Sequence, residues 1–372
     1  MLVDARAVLW HTGAGKNAMR LEELGFDAAF YGGTLPDADL TPARVIAVHR
    51  EACIIQNEGG TARAEATGKL IYSAASPLDY PSVGDWVRAQ VFPEQEFAVI
   101  HQILPRKNVL TRKTAGKDID LQVIAANIDT ALIVQSLDAD FNPRRLERYL
   151  AMACESRITP VVLLSKCDLV GEEVVGELLT SVKALMPGLQ ASAFSTVTGQ
   201  GLAELAYLLL PGQTFCLLGS SGVGKSTLLN SLLGEERLTT RAVRFKDGKG
   251  RHTTSVRQLL CLPGGALMID TPGMRELGNF DIEEGLSETF AEITSLASRC
   301  RYRDCTHVHE TGCAVLAALA EGTLSRERYE SYLKLSEESA FQARSYAEKR
   351  RQDKDFGKMV KAFKRDFGRN RP

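Results

Sequence analysis

Residues 219–226 read GSSGVGKS and lie between an apolar run, TFCLL (214–218), and a helical pattern, STLLNSLL (226–233). The segment fits G-x-x-x-x-G-K-[ST] and has the strand before it and the helix after it that a phosphate loop requires. Glycines let backbone N–H groups surround phosphate oxygens, while the lysine contacts the β- and γ-phosphates and the hydroxyl binds Mg²⁺. The predicted nucleotide contacts here are Gly219, Ser220, Ser221, Gly222, Val223, Gly224, Lys225, Ser226 and Thr227, with Ser226 also on Mg²⁺.

A second phosphate-site element, DTPG (270–273), follows the apolar run ALMI 45 residues beyond Lys225. We expect Asp270 to hold Mg²⁺ through its water shell and the Gly273 N–H to contact the γ-phosphate. Asp-x-Pro-Gly alone is also a common turn. Between the two elements lies GKGRHTTS (248–255), in which Thr254, or else Thr253, completes the Mg²⁺ shell. Such a polar loop is also what a switch segment looks like before γ-phosphate orders it.

The segment SKCD (Ser165, Lys166, Cys167 and Asp168) follows VVLL and has the form of a guanine-binding N-K-x-D motif. The Asp168 carboxylate would accept hydrogen bonds from guanine N1–H and N2–H₂, which adenine cannot offer. Lys166 would lie over the base plane. Ser165 stands where such motifs carry Asn, and its shorter hydroxyl is not expected to bridge the base edge and the phosphate loop as an amide does. The alternatives are a surface loop, or a P-loop ATPase or small-molecule kinase.

The serine-rich stretch SAFSTVTGQGL (192–202) comes next along the chain. It would close over guanine O6 through Ser195 and Thr196, with Ser192 and Ala193 as the alternative register. The order is therefore guanine-binding segment, base-closing loop, phosphate loop, switch loop and DTPG. This is the usual GTPase set cut and rejoined, which is compatible with one site provided the strands keep their places in the sheet. We predict a circularly permuted α/β P-loop GTPase domain over 113–280.

The segments before this domain favour a small β-barrel. Short strand patterns separated by turn signals occur in RVIAVHR, ACIIQN, GKLIYS, DWVRAQV and FAVIHQIL. They predict an OB-fold barrel over 41–112, with another small β-sandwich as the alternative. Residues 1–40 form an N-terminal extension in which LEELGFDAAF (21–30) is a candidate short helix.

The C-terminal part is predicted to be a mostly helical zinc-binding domain over 281–345, followed by a basic tail over 346–372. Three of the eight cysteines crowd together with a histidine in CRYRDCTHVHETGC. Three thiolates and one imidazole form a closed tetrahedral site for one structural Zn²⁺, here Cys300, Cys305, His307 and Cys313. His309 is a spare candidate.

The other five cysteines are scattered in apolar surroundings, which favours a reducing, cytoplasmic compartment over a disulfide framework. No signal peptide or membrane-spanning run is present in the sequence.

The combination of permuted order and zinc spacing resembles the RsgA (YjeQ) family of bacterial GTPases. The motifs that carry the resemblance are GDW (84–86), NPRRLERYL (142–150), GSSGVGKSTLLN, GRHTT (250–254), DTPG and the Cys/His array. The resemblance implies an OB-fold, GTP hydrolysis stimulated by the small (30S) ribosomal subunit and contacts to its 16S rRNA. It also implies a role in late subunit maturation and in the release of other assembly factors. We accordingly expect a cytoplasmic monomer that binds GTP and GDP with Mg²⁺ and has no membrane partner.

Met274 follows DTPG, where many GTPases carry the glutamine that orients the attacking water. A thioether cannot do this, so we predict slow intrinsic hydrolysis. His252 is a candidate for supplying that contact, and simple solvent exposure is its alternative. Because net charge is only −1, RNA contacts must come from local basic patches: the barrel, RKNVLTRKTAGK (106–117) and the tail. The competing hypothesis is an RNA-binding module whose nucleotide only holds the fold together.

Overall fold

The computed structural model describes residues 19–31, 39–49, 52–113, 121–234, 257–270 and 282–340. Within them an N-terminal barrel is followed by a parallel sheet with helices and then by a helical unit. The multidomain fold class expected from the sequence is confirmed. In this part of the chain, no helix has both the length and the apolar character needed to cross a membrane.

The N-terminal barrel closes on itself because β1 pairs with both β2 and β4. Its strands run in the spatial order β1-β2-β3-β5-β4-β1, and the α-helix described in this unit lies between β3 and β4 in the chain, as in an OB-fold. Small and branched side chains such as Ala64, Val87 and Ile100 fill the interior. The elements are β1 (Thr41–Val48), β2 (Cys53–Asn57), β3 (Gly60–Ala66), α1 (Gly68–Ser73), β4 (Trp86–Phe92) and β5 (Phe97–Ile103).

Two local expectations in this region are wrong. GKLIYS forms helix α1 instead of a strand, because the Thr67 hydroxyl caps it by accepting a hydrogen bond from the Leu70 N–H at 3.2 Å. The third strand is GTARAEA, whose inward residues are only alanines and whose outward residues include Arg63 and Glu65, so its apolar signal is weak. The candidate helix over 21–30 is a succession of turns.

The central unit is a mostly parallel sheet in the order β10-β9-β8-β11-β13-β12, with only β12 antiparallel to its neighbour. A hairpin of β6 and β7 precedes it. Continuous apolar strands are buried on both faces because helices cover the sheet. The elements are β6 (Val109–Lys113), β7 (Leu121–Ala126), β8 (Thr130–Ser136), α2 (Pro143–Glu155), β9 (Thr159–Ser165), α3 (Glu172–Lys183), β10 (Gln190–Phe194), α4 (Leu202–Leu208), β11 (Thr214–Leu218), α5 (Lys225–Leu233), β12 (Arg257–Cys261) and β13 (Leu267–Asp270).

The barrel and the central sheet are hydrogen-bonded to each other. Strand β1 pairs antiparallel with β12, with Ala47 opposite Gln258 and Val48 opposite Arg257. The barrel therefore continues the sheet at the strand that follows residues 248–255 in the sequence.

The segment 19–31 packs between the barrel and the central unit. Leu24 and Phe26 are buried, and the Phe26 ring lies edge-on to Trp86 of the barrel at 4.8 Å between centroids. The wholly buried Arg44 guanidinium donates hydrogen bonds to the carbonyls of Leu24, Gly84 and Asn127. Burial lowers the pKa of Arg44 to about 10. Part of the N-terminal extension is thus built into the core.

The helical unit comprises α6 (Glu283–Thr289), α7 (Ala291–Ala297), α8 (Ala314–Ala320) and a helical stretch over 326–340. It packs on α2 of the central unit, and Ala151 of α2 belongs to its apolar core. Gly285 lies so close to α2 that an added Cβ would meet the Ala151 carbonyl oxygen at 1.9 Å. Only glycine fits there without displacing α6 from α2.

A nucleotide site at the carboxyl edge of the sheet

Three strands bring the predicted nucleotide segments to one edge of the sheet. Strand β9 ends at Ser165, β11 at Leu218 and β13 at Asp270. These strands run parallel, with only β8 between β9 and β11, so their carboxyl ends meet on the same side. The reversed order along the chain leaves the segments adjacent in space, and ligands of open α/β sheets bind at this edge.

The backbone of the phosphate loop has the conformation that its glycines predict. Gly219, Gly222 and Gly224 have φ angles of 139°, 86° and 96°, in the region that favours glycine. A Cβ at Gly219 would lie 2.3 Å from the Val134 carbonyl oxygen of β8. The loop can therefore lie against β8 only because this residue lacks a side chain.

Helix α5 begins directly at the loop, with Lys225 as its first residue. The Lys225 Nζ donates to the carbonyls of Gly219 and Ser220, each at 2.6 Å, which holds the ammonium over the loop. Ser226 and Thr227 are exposed in the first turn of α5. The backbone N–H groups of a first turn have no hydrogen-bond partner within the helix. This arrangement is suited to an anionic ligand.

Asp270 ends β13 beside the strand that leads to the phosphate loop. Burial raises the pKa of the Asp270 carboxyl, while the positive charge of Lys225 acts in the opposite sense. A divalent cation would stabilise the charged form of such a carboxylate. A carboxylate at Asp270 and a hydroxyl at Ser226 are hard oxygen donors, and this chemistry fits Mg²⁺.

Ser165 contacts the phosphate loop. Its buried Oγ donates a hydrogen bond to the Val223 carbonyl at 2.6 Å, while the Gln135 carbonyl lies farther away at 3.4 Å. The serine hydroxyl reaches the phosphate loop because the loop passes directly over the end of β9. That the hydroxyl does not also bridge to the base edge, as an amide would, stays a prediction.

The three following residues differ in exposure. Lys166 adopts a left-handed backbone conformation with φ of 59° and begins the short turn Cys167–Leu169. Cys167 is buried, its Sγ lies 3.5 Å from the Gln200 Oε1, and burial raises the pKa of its thiol. Asp168 is exposed at the edge of the sheet, where its carboxylate is available to a ligand.

Ser195 follows β10, which pairs with β9 so that Phe194 lies opposite Ser165. Its buried Oγ accepts hydrogen bonds from the N–H groups of Val197 and Thr198, both at 3.1 Å, which shapes the loop containing the half-buried Thr196. Ser192, by contrast, lies inside β10, two residues before its end. The geometry favours Ser195–Thr196 as the loop next to Lys166.

Sequence reasoning missed two aspartates in the loop after β8. The Asp138 Oδ2 lies 2.7 Å from the Lys166 Nζ, and the Asp140 Oδ2 accepts a hydrogen bond from the Ser220 hydroxyl at 3.0 Å. A usable signal was present, since SLDADFN follows the apolar strand TALIVQ and so reaches the same sheet edge as the known motifs.

Several predicted residues lie outside the described part of the chain. These are His252, Thr253, Thr254 and the rest of 248–255, Thr271 to Gly273, Met274, residues 114–117 and the basic tail. Of DTPG, only Asp270 is described.

A second site lies in the helical unit, where ligand atoms of Cys300, Cys305, His307 and Cys313 all lie within 4.8 Å of one another. The Sγ atoms of Cys300 and Cys313 are 3.9 Å apart, and the His307 Nδ1 lies 3.6 Å and 3.5 Å from them. A tetrahedron with metal–sulfur distances of about 2.3 Å has edges of about 3.8 Å, so the geometry fits zinc. The exposed His309 is outside the cluster. The Tyr329 hydroxyl donates to the His307 carbonyl at 2.7 Å and helps to fix the loop.

Comparison with known proteins gives one consistent result. The sequence model of the RsgA GTPase family matches residues 103–280. The chain is 45% identical over 337 residues to the small ribosomal subunit biogenesis GTPase RsgA of Opitutus terrae, covering 88% of this chain and 91% of that protein. The fold of this chain is similar to that in the crystal structure of YjeQ from Thermotoga maritima, with a TM-score of 0.60 and 26% sequence identity. The match covers 81% of this chain and 99% of that one. YloQ, described as a circularly permuted GTPase, shares the fold with a TM-score of 0.59 and 22% identity, over 82% of this chain and 96% of its own.

Proposed function

The chain belongs to the RsgA GTPase family, and on this premise we propose that it hydrolyses GTP and acts in biogenesis of the small ribosomal subunit. The observation that carries this proposal is the contact between Ser165 and Val223. It joins the proposed guanine-binding segment to the phosphate loop, although the two are encoded in reversed order.

At the phosphate end, the backbone N–H groups of the loop and of the first turn of α5 surround the phosphates, and Lys225 contacts the β- and γ-phosphates. Leaving the Gly219 and Ser220 carbonyls costs the ammonium two hydrogen bonds, which phosphate oxygens replace with charge-assisted ones. Ser226 and Asp270 hold Mg²⁺, which when bound supplies charge neutralisation at the β- and γ-phosphates.

At the base end, the Asp168 carboxylate accepts hydrogen bonds from guanine and the stem of Lys166 lies over the ring. The loop at Ser195 and Thr196 closes over guanine O6. The exposed position of Asp168 and the pairing of β10 with β9 support this assignment. Guanine is favoured over adenine because only guanine offers two adjacent N–H donors to a carboxylate.

For hydrolysis we propose that Thr254 completes the Mg²⁺ shell and that the Gly273 N–H contacts the γ-phosphate. His252 orients the attacking water only when the ribosomal subunit orders the switch loop at 248–255, since Met274 cannot do so. This division of roles accounts for slow intrinsic turnover and for stimulation by the partner.

The partner is the small ribosomal subunit with its 16S rRNA, contacted by a cytoplasmic monomer through the barrel and the helical unit. The switch loop directly precedes β12, and β12 is paired with β1 of the barrel. Ordering of the loop, which requires both GTP and the subunit, therefore acts on the barrel through that pairing. Release of other assembly factors follows when hydrolysis loosens this grip.

The cluster in the helical unit holds one structural Zn²⁺ through Cys300, Cys305, His307 and Cys313, which leaves no position open for water. We expect His307→Ala to lose the metal, while the matched His309→Ala variant keeps it, because the His309 side chain is exposed. Zinc per chain by elemental analysis of purified protein checks this. Equal zinc in the two variants would contradict the proposed ligand set.

The experiment that tests the function has three arms: nucleotide displacement, GTP turnover and affinity for the small subunit. Displacement of fluorescent GDP from the whole chain is expected with GDP and GTP and not with ADP or ATP, and displacement by ATP would favour an ATPase or kinase. GTP turnover is expected to rise when purified small subunits are added, while large subunits serve as the control. If affinity for the subunit is the same with GTP, GDP and no nucleotide, the chain is instead an RNA-binding module stabilised by nucleotide.

A further inference from the structure

The loop that follows β8 holds the side chain of Lys166. The Lys166 Nζ lies 2.7 Å from the Asp138 Oδ2, and the two side chains are 32% and 28% exposed. The two residues directly follow the ends of neighbouring strands, because β8 and β9 pair in parallel with Ser136 opposite Ser165. The contact therefore joins two strand ends at the edge where nucleotide is proposed to bind.

Asp138 is itself held in one orientation. Its Oδ1 accepts hydrogen bonds from the Ser136 hydroxyl at 2.8 Å and from the Asp140 N–H at 2.9 Å, which leaves Oδ2 directed at Lys166. Partial burial by itself would raise the pKa of this carboxyl, but the hydrogen bonds from Lys166, Asp140 and Ser136 outweigh it and lower the pKa to about 2. The group is thus an anchored carboxylate at neutral pH.

Lys166 needs such an anchor. A lysine side chain has a flexible four-carbon stem and a strongly hydrated ammonium, so the stem has no fixed direction unless the ammonium is bound. The Lys166 backbone is left-handed, with φ of 59°, and this fixes the position of its Cα in the turn between β9 and Asp168. Binding of the ammonium by Asp138 fixes both ends of the stem.

We propose that Asp138 is a positioning residue for the purine end of the nucleotide site, where its carboxylate holds Lys166 so that the aliphatic stem lies over the base. This inference rests on the proposed placement of the base between Lys166 and the loop at Ser195. Asp138 acts through Lys166, because its carboxylate binds the ammonium. The hydrogen bonds from the base are accepted by Asp168.

The pair is about one-third exposed, and ion pairs that solvent reaches contribute little to folding stability. Loss of the Asp138 charge is therefore expected to change nucleotide affinity while leaving the unfolding of the nucleotide-free chain nearly unchanged. A purely structural role would show the opposite pattern. This difference gives the test its discriminating readout.

The experiment measures affinity and dissociation rate of fluorescent GDP on the whole chain. We expect Asp138→Asn to weaken binding about five- to tenfold, mainly through faster dissociation, as for loss of one partner of a charge pair. Lys166→Met keeps the stem and loses the ammonium, and we expect a similar loss. Because both act through one contact, the double variant is expected to bind no more weakly than Lys166→Met alone. Glu65→Gln, which breaks the exposed Arg63–Glu65 pair of the barrel, is the matched control and leaves affinity unchanged.

The inference is overturned if Asp138→Asn binds GDP like the wild type, or if Asp138→Asn loses the same affinity in the wild-type and Lys166→Met backgrounds. In either case the proposed function stands as long as the parent chain binds GDP. Failure of the parent chain to bind GDP overturns the proposed function itself. If Asp138→Asn lowers the melting temperature of the nucleotide-free chain more than Glu65→Gln does, Asp138→Glu decides. Recovery of affinity by this charged variant supports the positioning role, and a persistent loss excludes it.

Discussion

Ser165 contacts the phosphate loop with a short hydroxyl at the position where guanine-binding motifs carry the longer Asn side chain. Its hydroxyl lies at the end of β9, directly beneath the phosphate loop, and donates to the Val223 carbonyl at 2.6 Å. The donor is buried, so no water can take its place at that carbonyl without a rearrangement of the loop. The short side chain thus holds the loop, and we expect that it does not also reach the base edge.

We expect Ser165→Ala to weaken GDP binding by about 1 to 2 kcal/mol, because the buried Val223 carbonyl then lacks its donor and the loop loses a fixed point. Equilibrium titration with fluorescent GDP measures the change. Ser192→Ala, on the neighbouring strand and away from the loop, is the control and is expected to bind normally. Equal affinities for Ser165→Ala and the parent chain would show that the contact does not support the nucleotide site.

Some residue contacts were accessible from the sequence and others were not. The placement of Lys225 and Asp270 at one sheet edge was predictable, because a phosphate loop and an acidic residue after a buried strand follow recognisable patterns, and their ligand roles stay predictions. The Asp138–Lys166 and Ser165–Val223 contacts were not, because they join residues 28 and 58 positions apart in the chain. Their partners depend on the paths of two loops, which no local pattern specifies.

At the level of elements, helix α2 is shared between the central sheet and the helical unit. Its Glu147 forms an ion pair with Arg328 at 2.7 Å, and these side chains are only 5% and 11% exposed. The Arg328 guanidinium also donates to the carbonyls of Leu185 and Thr289 and lies 4.1 Å from the centroid of the Phe290 ring. Arg328 therefore fastens the helical unit to the sheet through α2 and the segment after α3.

We expect Arg328→Met to lower the free energy of unfolding by about 3 kcal/mol, because the buried Glu147 carboxylate loses its counter-charge and keeps the hydrogen bond from the Ser331 hydroxyl. Chemical denaturation followed by circular dichroism measures this. The same interface offers a control in Arg144→Met, since the Arg144–Glu330 pair is about half exposed and should cost less than about 1 kcal/mol. Similar losses in the two variants would exclude a special role for Arg328.

The elements themselves were predictable where the local signal and the tertiary environment agree. TFCLL became β11 with the predicted bounds. GKLIYS failed because its apolar residues suggest a strand while the Thr67 cap and the following loop favour one helical turn. The true third strand has alanines facing a narrow barrel, and this need for small side chains exists only in the closed structure.

At the level of the whole molecule, the segment 19–31 and Arg44 join the barrel to the central unit. Three carbonyls from separate parts of the chain, at Leu24, Gly84 and Asn127, receive hydrogen bonds from one buried guanidinium. The Arg44 side chain also lies over the Trp86 ring at 5.5 Å. The N-terminal extension thus has a structural role that the sequence did not reveal, since nothing local marks Arg44 as a buried residue.

We expect Arg44→Met to destabilise the chain by about 2 to 4 kcal/mol, because the apolar side chain fills similar space but removes the guanidinium donor from the Leu24 and Asn127 carbonyls. The Gly84 carbonyl keeps its hydrogen bond from the Asn127 side-chain amide. Thermal and denaturant unfolding of the whole chain measure the loss. Arg63→Met on the exposed face of the barrel is the matched control, with an expected change below about 1 kcal/mol. Unchanged stability of Arg44→Met would mean that solvent can satisfy these carbonyls.

The pairing of β1 with β12 has a practical consequence for anyone who divides this protein into fragments. A truncated chain that begins after the barrel would leave β12 as an edge strand, with the backbone N–H and C=O groups opposite Ala47 and Val48 unprotected. Such edges recruit strands from other molecules and promote aggregation. Insolubility of an excised central domain would therefore reflect the missing neighbour, and a short exogenous peptide with the β1 sequence should restore its solubility.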